Sequence, residues 1–261
     1  DNMDFVLRDA YMSGYSQKAF DLERLLHYSF FSHEGLTIHD RGMNALMRFM
    51  AVRAELFRAV YFHRTVRAID LALTDLFADS RQLLFPGNPL EHLEEYLEFT
   101  EWSLLRDVSR WSQSEVASTR ELGARWQQLL RREIPWKMVV QRTRVFEDGD
   151  SEGASIFSET RFVEQKLREL LPVELRDQPL RVDIARHIER PHTRGPSGGQ
   201  NFLYDSACCQ VRLLGTHELY ARLPTSLRIC RIYATDDTCT AELTRALDAL
   251  ISGAYDDPTN M

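Results

Sequence analysis

The sequence predicts a mainly α-helical fold followed by a smaller α+β lobe. Three observations carry that expectation. Apolar residues recur at helical spacing through most of the first half, most clearly from Gly42 to Phe77. After "REIPWK" the texture changes to short runs rich in β-branched residues. A closing amphipathic stretch, "TAELTRALDALISG", ends on a glycine. These place a helical segment at 1–135 and an α+β segment at 136–261.

The elements follow in order. Residues 1–13 pattern as a helix, with Gly14 as its stop signal. "FDLERLLHYSFF" reads as a second, short helix with Phe20, Leu22, Leu25 and Leu26 on its apolar side. The segment from Gly42 to Phe77 is longer than an ordinary globular helix, so a bend or break is expected within it. "FPGNP" at 85–89 is turn chemistry, and helices resume at 90–110 and 115–132. "MVVQRTRVF" reads as a strand, "EDGDSEGAS" as an acidic loop, and 159–171 as a helix. "PLRVDIAR" and "NFLYD" read as strands around the loop "ERPHTRGPSGGQN". "HELYARL" and "SLRICRIYA" are expected to pair as strands.

Composition narrows the function classes. The chain has 261 residues, 44% of them hydrophobic and 27% charged, which suits a globular core. The net charge of -7 argues against general nucleic-acid binding, which needs concentrated Lys and Arg. No apolar run reaches the roughly 18 residues of a membrane span, so no membrane partner is expected. The four cysteines form no C-x-x-C pair, and free thiols in the cytoplasm are the expectation. Asp1 is not an initiator methionine, which suggests a processed or truncated chain. P-loop, G-x-G-x-x-G, G-x-S-x-G and H-E-x-x-H patterns do not occur.

The first helix holds the first functional signal, "DNMDFVLRDAYMSGY". Asp1, Phe5 and Asp9 fall at i, i+4 and i+8 and share one face. Asp4 and Arg8 form an i, i+4 pair beside them. By spacing alone this is an acidic stripe with one weak ion pair. A second signal is "RAELFRAVYFHRTVRAIDLALTDLF". Arg53, Phe57 and Tyr61 again recur at i, i+4 and i+8, giving a face that is cationic and then aromatic. Such a face suits a phosphate at one end and a sugar or base at the other. Plain core packing is the competing reading for Phe57 and Tyr61.

The two stretches together resemble the HD-domain metal-dependent phosphohydrolases, in particular the deoxynucleoside triphosphate triphosphohydrolase branch that includes the SAM-and-HD-domain enzymes. The first is similar to that family's D-x-x-D-Y-x-x-R-D-x-x-x-x-G. "FDLERLL" is similar to its F-D-x-x-R-L, and the second stretch to its long helix. The likeness covers about 1–135 well and the later lobe only in general character. It implies hydrolysis of a (deoxy)nucleoside triphosphate to nucleoside and triphosphate, with a divalent metal (Mn, Fe, Mg or Zn) held by an H…HD…D set. Asp1 would be the last of those ligands, with the others upstream, so this chain alone is expected to be inactive. Asp9 would read the sugar, and Arg53 would face the phosphates. Phe5 stands where the family usually has Tyr, and Asn2 where some members have a phosphate-binding Lys. His63 and Arg64 match positions near an activator nucleotide in oligomeric members, and a homo-oligomer (dimer or tetramer) is implied.

The chain also carries its own His39-Asp40. It stands at an expected helix start, where Asp serves as a cap, so it reads as a decoy for the metal pair. Two rival functions remain. One is a non-catalytic nucleotide-binding or oligomerisation module of the same descent. The other is an HD phosphatase or phosphodiesterase with a different phosphoester substrate.

Overall fold

The computed structural model describes residues 2–147, 150, 155–190 and 201–253. Helices predominate, with two small sheets. The chain separates into two units that alternate along the sequence. The first comprises Asp1–His63, Gln141–Val163 and Ile184–Cys230. The second comprises Arg64–Val140, Glu164–Asp183 and Arg231–Met261. Both the expected 1–135 and 136–261 segments therefore supply residues to each unit. Among the described residues no helix is long and apolar enough to cross a membrane.

The first unit begins with α1 (Asn2–Met12), which buries Val6 and Ala10 and ends just before Gly14 at φ 73°. α2 (Leu22–His27) is capped by Asp21, whose carboxylate accepts from the Arg24 amide at 2.9 Å. The expected continuation of this helix through Phe31 does not form. Ser29–Phe31 is instead strand β1, antiparallel to β2 (Leu36–His39). β2 in turn pairs in parallel with β5 (Phe202–Asp205), which pairs antiparallel with β6 (Gln210–Leu213). The aromatic and β-branched residues of "HYSFF" and "LTI" gain a ladder that local helical spacing did not reveal.

α3 (Met43–Leu56) packs Phe49, Val52 and Leu56 into a core shared with Val6, Phe20, Leu25, Ile38 and Leu203. The expected break then appears as one wide π turn at Phe57–Tyr61, closed by the Phe62 amide donating to the Phe57 carbonyl at 2.7 Å. Such turns insert an extra residue into a helix and often mark functional sites.

The second unit is built on α4 (Arg64–Leu84), α5 (Leu93–Glu98), α6 (Glu101–Trp111) and α7 (Ala117–Leu130). Leu76, Val108, Leu122 and Trp126 form its core, and Trp126 Nε1 donates to Ser80 Oγ at 2.8 Å. Gly123 on α7 lies against the end of α6, where a Cβ would sit 2.3 Å from the Ser112 amide nitrogen. Thr100 and Ser103 form a reciprocal capping box at the start of α6.

The second sheet orders β3 (Lys137–Phe146), β7 (Ser226–Ala234) and β4 (Leu180–Ile188) as β3-β7-β4. α8 (Thr160–Leu170) and α10 (Thr240–Ser252) match their expected spans, and Gly253 ends α10 at φ 67°. "HELYARL" is a correction: Glu218–Ala221 forms the short helix α9 rather than a strand, and β7 finds its partners in β3 and β4. In the second unit, Arg67 grips the buried Asp183 through both carboxylate oxygens, with Arg231 at 3.8 Å. The loop residues 148–149, 151–154 and 191–200, which include "GPSGG", lie outside the described residues.

Candidate functional site

The site lies in the first unit, where α1 meets the π turn. Phe5 on α1 approaches Phe57 at 6.3 Å and Tyr61 at 6.2 Å between ring centroids, both edge-on. Phe57 and Tyr61 are 4.9 Å apart. The Tyr61 hydroxyl donates to the Asp9 carboxylate. That bond holds Asp9 below its ordinary carboxylate value, since it favours the ionised form. Burial and the same carboxylate push the Tyr61 phenol up to about 12, so it stays a donor at neutral pH. Arg8 reaches Asp9 at 3.3 Å and Asp4 at 3.2 Å, both on the exposed side.

Arg53 sits with its guanidinium carbon 5.5 Å from the Phe57 ring centroid, within cation–π range. Its Nη1 donates to the Ile188 carbonyl at 3.0 Å. Its Nε is buried without a hydrogen-bond partner among the described residues. Arg58, one turn on, pairs with Glu189 at 3.1 Å. These two arginines hold the end of β4 against the helix.

Five of the six expected binding residues, Phe5, Asp9, Arg53, Phe57 and Tyr61, are therefore linked by direct contacts. Asn2 is elsewhere. It is exposed and lines an open cleft of about 480 Å³ with Leu46, Phe49 and Met50 of α3, Thr37 of β2 and Tyr220 of α9. His63 and Arg64 are exposed at the junction between the π turn and α4. Asp1, the implied metal ligand, lies outside the described residues.

Among the described residues no three His, Cys, Asp or Glu side chains converge as a metal site. His39-Asp40 has a structural task. Asp40 begins the 3-10 turn Asp40–Gly42 and accepts from the Ser206 hydroxyl at 2.5 Å, the Ser206 amide at 3.1 Å and the Arg41 amide at 2.7 Å. These bonds, the Ser206 hydroxyl first, bring its carboxyl down to about 2. The pair fastens the β5–β6 hairpin to the start of α3. No disulfide joins the four cysteines.

One residue at this site was not singled out from the sequence. His187 of β4 is 2% exposed and stacks on Phe57 with ring centroids 4.2 Å apart and planes at 29°. Its Nε2 is buried and has no hydrogen-bond partner among the described residues. Burial, then Arg53 and Arg58, lower it to about 4, so the ring is neutral at physiological pH. The signal lay in the strand phase. Asp183, Ala185 and His187 alternate inward, so a polar ring stood in a core position.

No family model matches the chain. It is 29% identical over 140 residues to the uncharacterized protein YwfO of Bacillus subtilis, covering 48% of this chain and 32% of that protein. It is 34% identical over 74 residues to the uncharacterized protein MJ1154 of Methanocaldococcus jannaschii, covering 27% of this chain and 16% of that one. The chain thus spans a third or less of the curated relatives it matches. A crystal structure of a hypothetical protein from Aquifex aeolicus shares its fold with a TM-score of 0.63 at 20% identity. That likeness covers 94% of this chain and 56% of the other.

Proposed function

We propose that this chain is part of an HD-type nucleotide phosphohydrolase that converts a (deoxy)nucleoside triphosphate to nucleoside and triphosphate. The observation that supports this most is the Tyr61–Asp9 hydrogen bond, set among Phe5, Phe57 and Arg53. In this reading the Asp9 carboxylate keeps lone pairs for a sugar hydroxyl while Tyr61 fixes its orientation. Phe5 and Phe57 supply flat apolar walls for the sugar or base. Arg53 supplies positive charge for the phosphate end. The described residues alone do not fit a divalent-metal site, so their part is to bind and orient the nucleotide. A divalent metal, homo-oligomerisation and an activator contact at His63 and Arg64 belong to the same proposal.

Calorimetric titration of the chain with dATP tests the reading. Binding that weakens in both Asp9→Asn and Tyr61→Phe is expected. Absence of nucleotide binding, or binding indifferent to both substitutions, overturns it.

A further inference from the structure

The phosphate end of the site holds more than Arg53. Among the described residues, two buried nitrogens there have no hydrogen-bond partner, Arg53 Nε and His187 Nε2. Both side chains contact the same ring, that of Phe57. A buried polar atom left unpaired is costly, and native structures seldom keep one without a reason.

The charges point the same way. Two guanidiniums face His187, those of Arg53 and Arg58. Arg58 is compensated by Glu189 at 3.1 Å. Arg53 is half-buried, and among the described residues it makes no ion pair. It donates to the neutral Ile188 carbonyl. A partly desolvated guanidinium without a carboxylate is suited to bind an anion.

We infer that Arg53 and His187 form one phosphoryl-oxygen subsite beside Phe57, with Arg53 supplying the charge and His187 a hydrogen bond from Nε2. This rests on the phosphohydrolase reading and adds to it a second ligand-binding side chain, drawn from β4. An imidazole suits the task because it stays uncharged under the charges of Arg53 and Arg58 and, as the Nε2–H tautomer, donates. A third cation there would repel Arg53. Arg53 and His187 both lie against the Phe57 ring, so the subsite is drawn around that shared contact, with one phosphoryl oxygen accepting from both.

Inorganic triphosphate is the probe. The chain, His187→Phe and His187→Gln are titrated with sodium triphosphate, and the histidine nitrogens are followed by long-range ¹H–¹⁵N spectra. The native chain should bind triphosphate with a shift of the His187 Nε2 resonance. His187→Phe keeps the ring stacking and should lose about tenfold in affinity, the effect of one charge-assisted hydrogen bond. His187→Gln keeps a donor near the same place and should restore most of it. Equal affinities in all three, equal losses in both variants, an unmoved Nε2 resonance, or no triphosphate binding by the native chain would each overturn the subsite. A parallel dATP titration separates the two ideas. If dATP still binds and responds to Asp9→Asn, the subsite falls alone; if dATP fails as well, both fall.

Discussion

Tyr61 and Asp9, 52 positions apart, share a hydrogen bond in which the phenol donates to the carboxylate. It joins the π turn to α1 and sets the ionisation of both groups. Tyr61→Phe should raise the Asp9 value toward the ordinary carboxylate range, measurable by carbonyl ¹³C titration. The native bond favours ionised Asp9, so its contribution is complete above about pH 4 and fades as pH falls through the lowered native value. In Tyr61→Phe that acid-side change should shrink.

His187 carries a protonation change of the same sign over a higher range. Its value falls from about 6.5 in an unfolded chain to about 4 in the fold. The unfolded state therefore binds more protons between those limits, and stability declines as pH drops from 6.5 toward 4. The loss from this group is at most about 3 kcal/mol. His187→Phe should flatten that part of a denaturation-versus-pH curve relative to the native chain. Parallel curves would remove the histidine from the acid response.

How much of this was legible beforehand differs by element. α1, the α3-to-α4 segment and α10 were readable because their apolar spacing and glycine stops act locally. The break inside the long segment was foreseen from its length, but not its form. A π turn depends on packing around Phe57 and Tyr61 rather than on a breaker residue. β1 was missed because "HYSFF" continues a helical apolar pattern, and its ladder partner β2 is completed by β5 more than 160 residues on. α9 was misread because "HELYARL" holds too few residues to show a helical period. Within the site, Asp9, Arg53, Phe57 and Tyr61 were found by motif and spacing. His187 was not, since its role comes from an inward strand phase and a contact 130 positions away.

Gly123 is required by close approach rather than by backbone conformation. Gly123→Ala places a methyl 2.3 Å from the Ser112 nitrogen and 2.5 Å from the Trp111 carbonyl carbon, both backbone atoms that cannot rotate away. A loss of about 1–3 kcal/mol is expected by chemical denaturation. A neutral result would mean that the α6–α7 approach is looser than described.

Asp183 is 4% exposed and holds Arg67 and Arg231. Asp183→Ala removes the buried carboxylate that Arg231 shares with Arg67, which keeps Asp70 at 3.0 Å, and should cost about 3–5 kcal/mol. Thermal unfolding of the variant checks this, and a change below 1 kcal/mol would show that the network contributes little.

The decoy histidine offers a control. His39→Gln should leave nucleotide binding unchanged, because Asp40 and its partners fasten a hairpin rather than hold a metal. Lost nucleotide binding in a folded His39→Gln protein would return His39-Asp40 to the functional site.

The most direct measurement is product analysis. The full gene product is incubated with each deoxynucleoside triphosphate and Mn²⁺, with Arg53→Ala alongside. The account predicts nucleoside and intact triphosphate in equal amounts, and a lower kcat/KM for Arg53→Ala by about 1.5–3 kcal/mol of transition-state binding. Release of monophosphate or diphosphate instead, or turnover indifferent to Arg53, would contradict it.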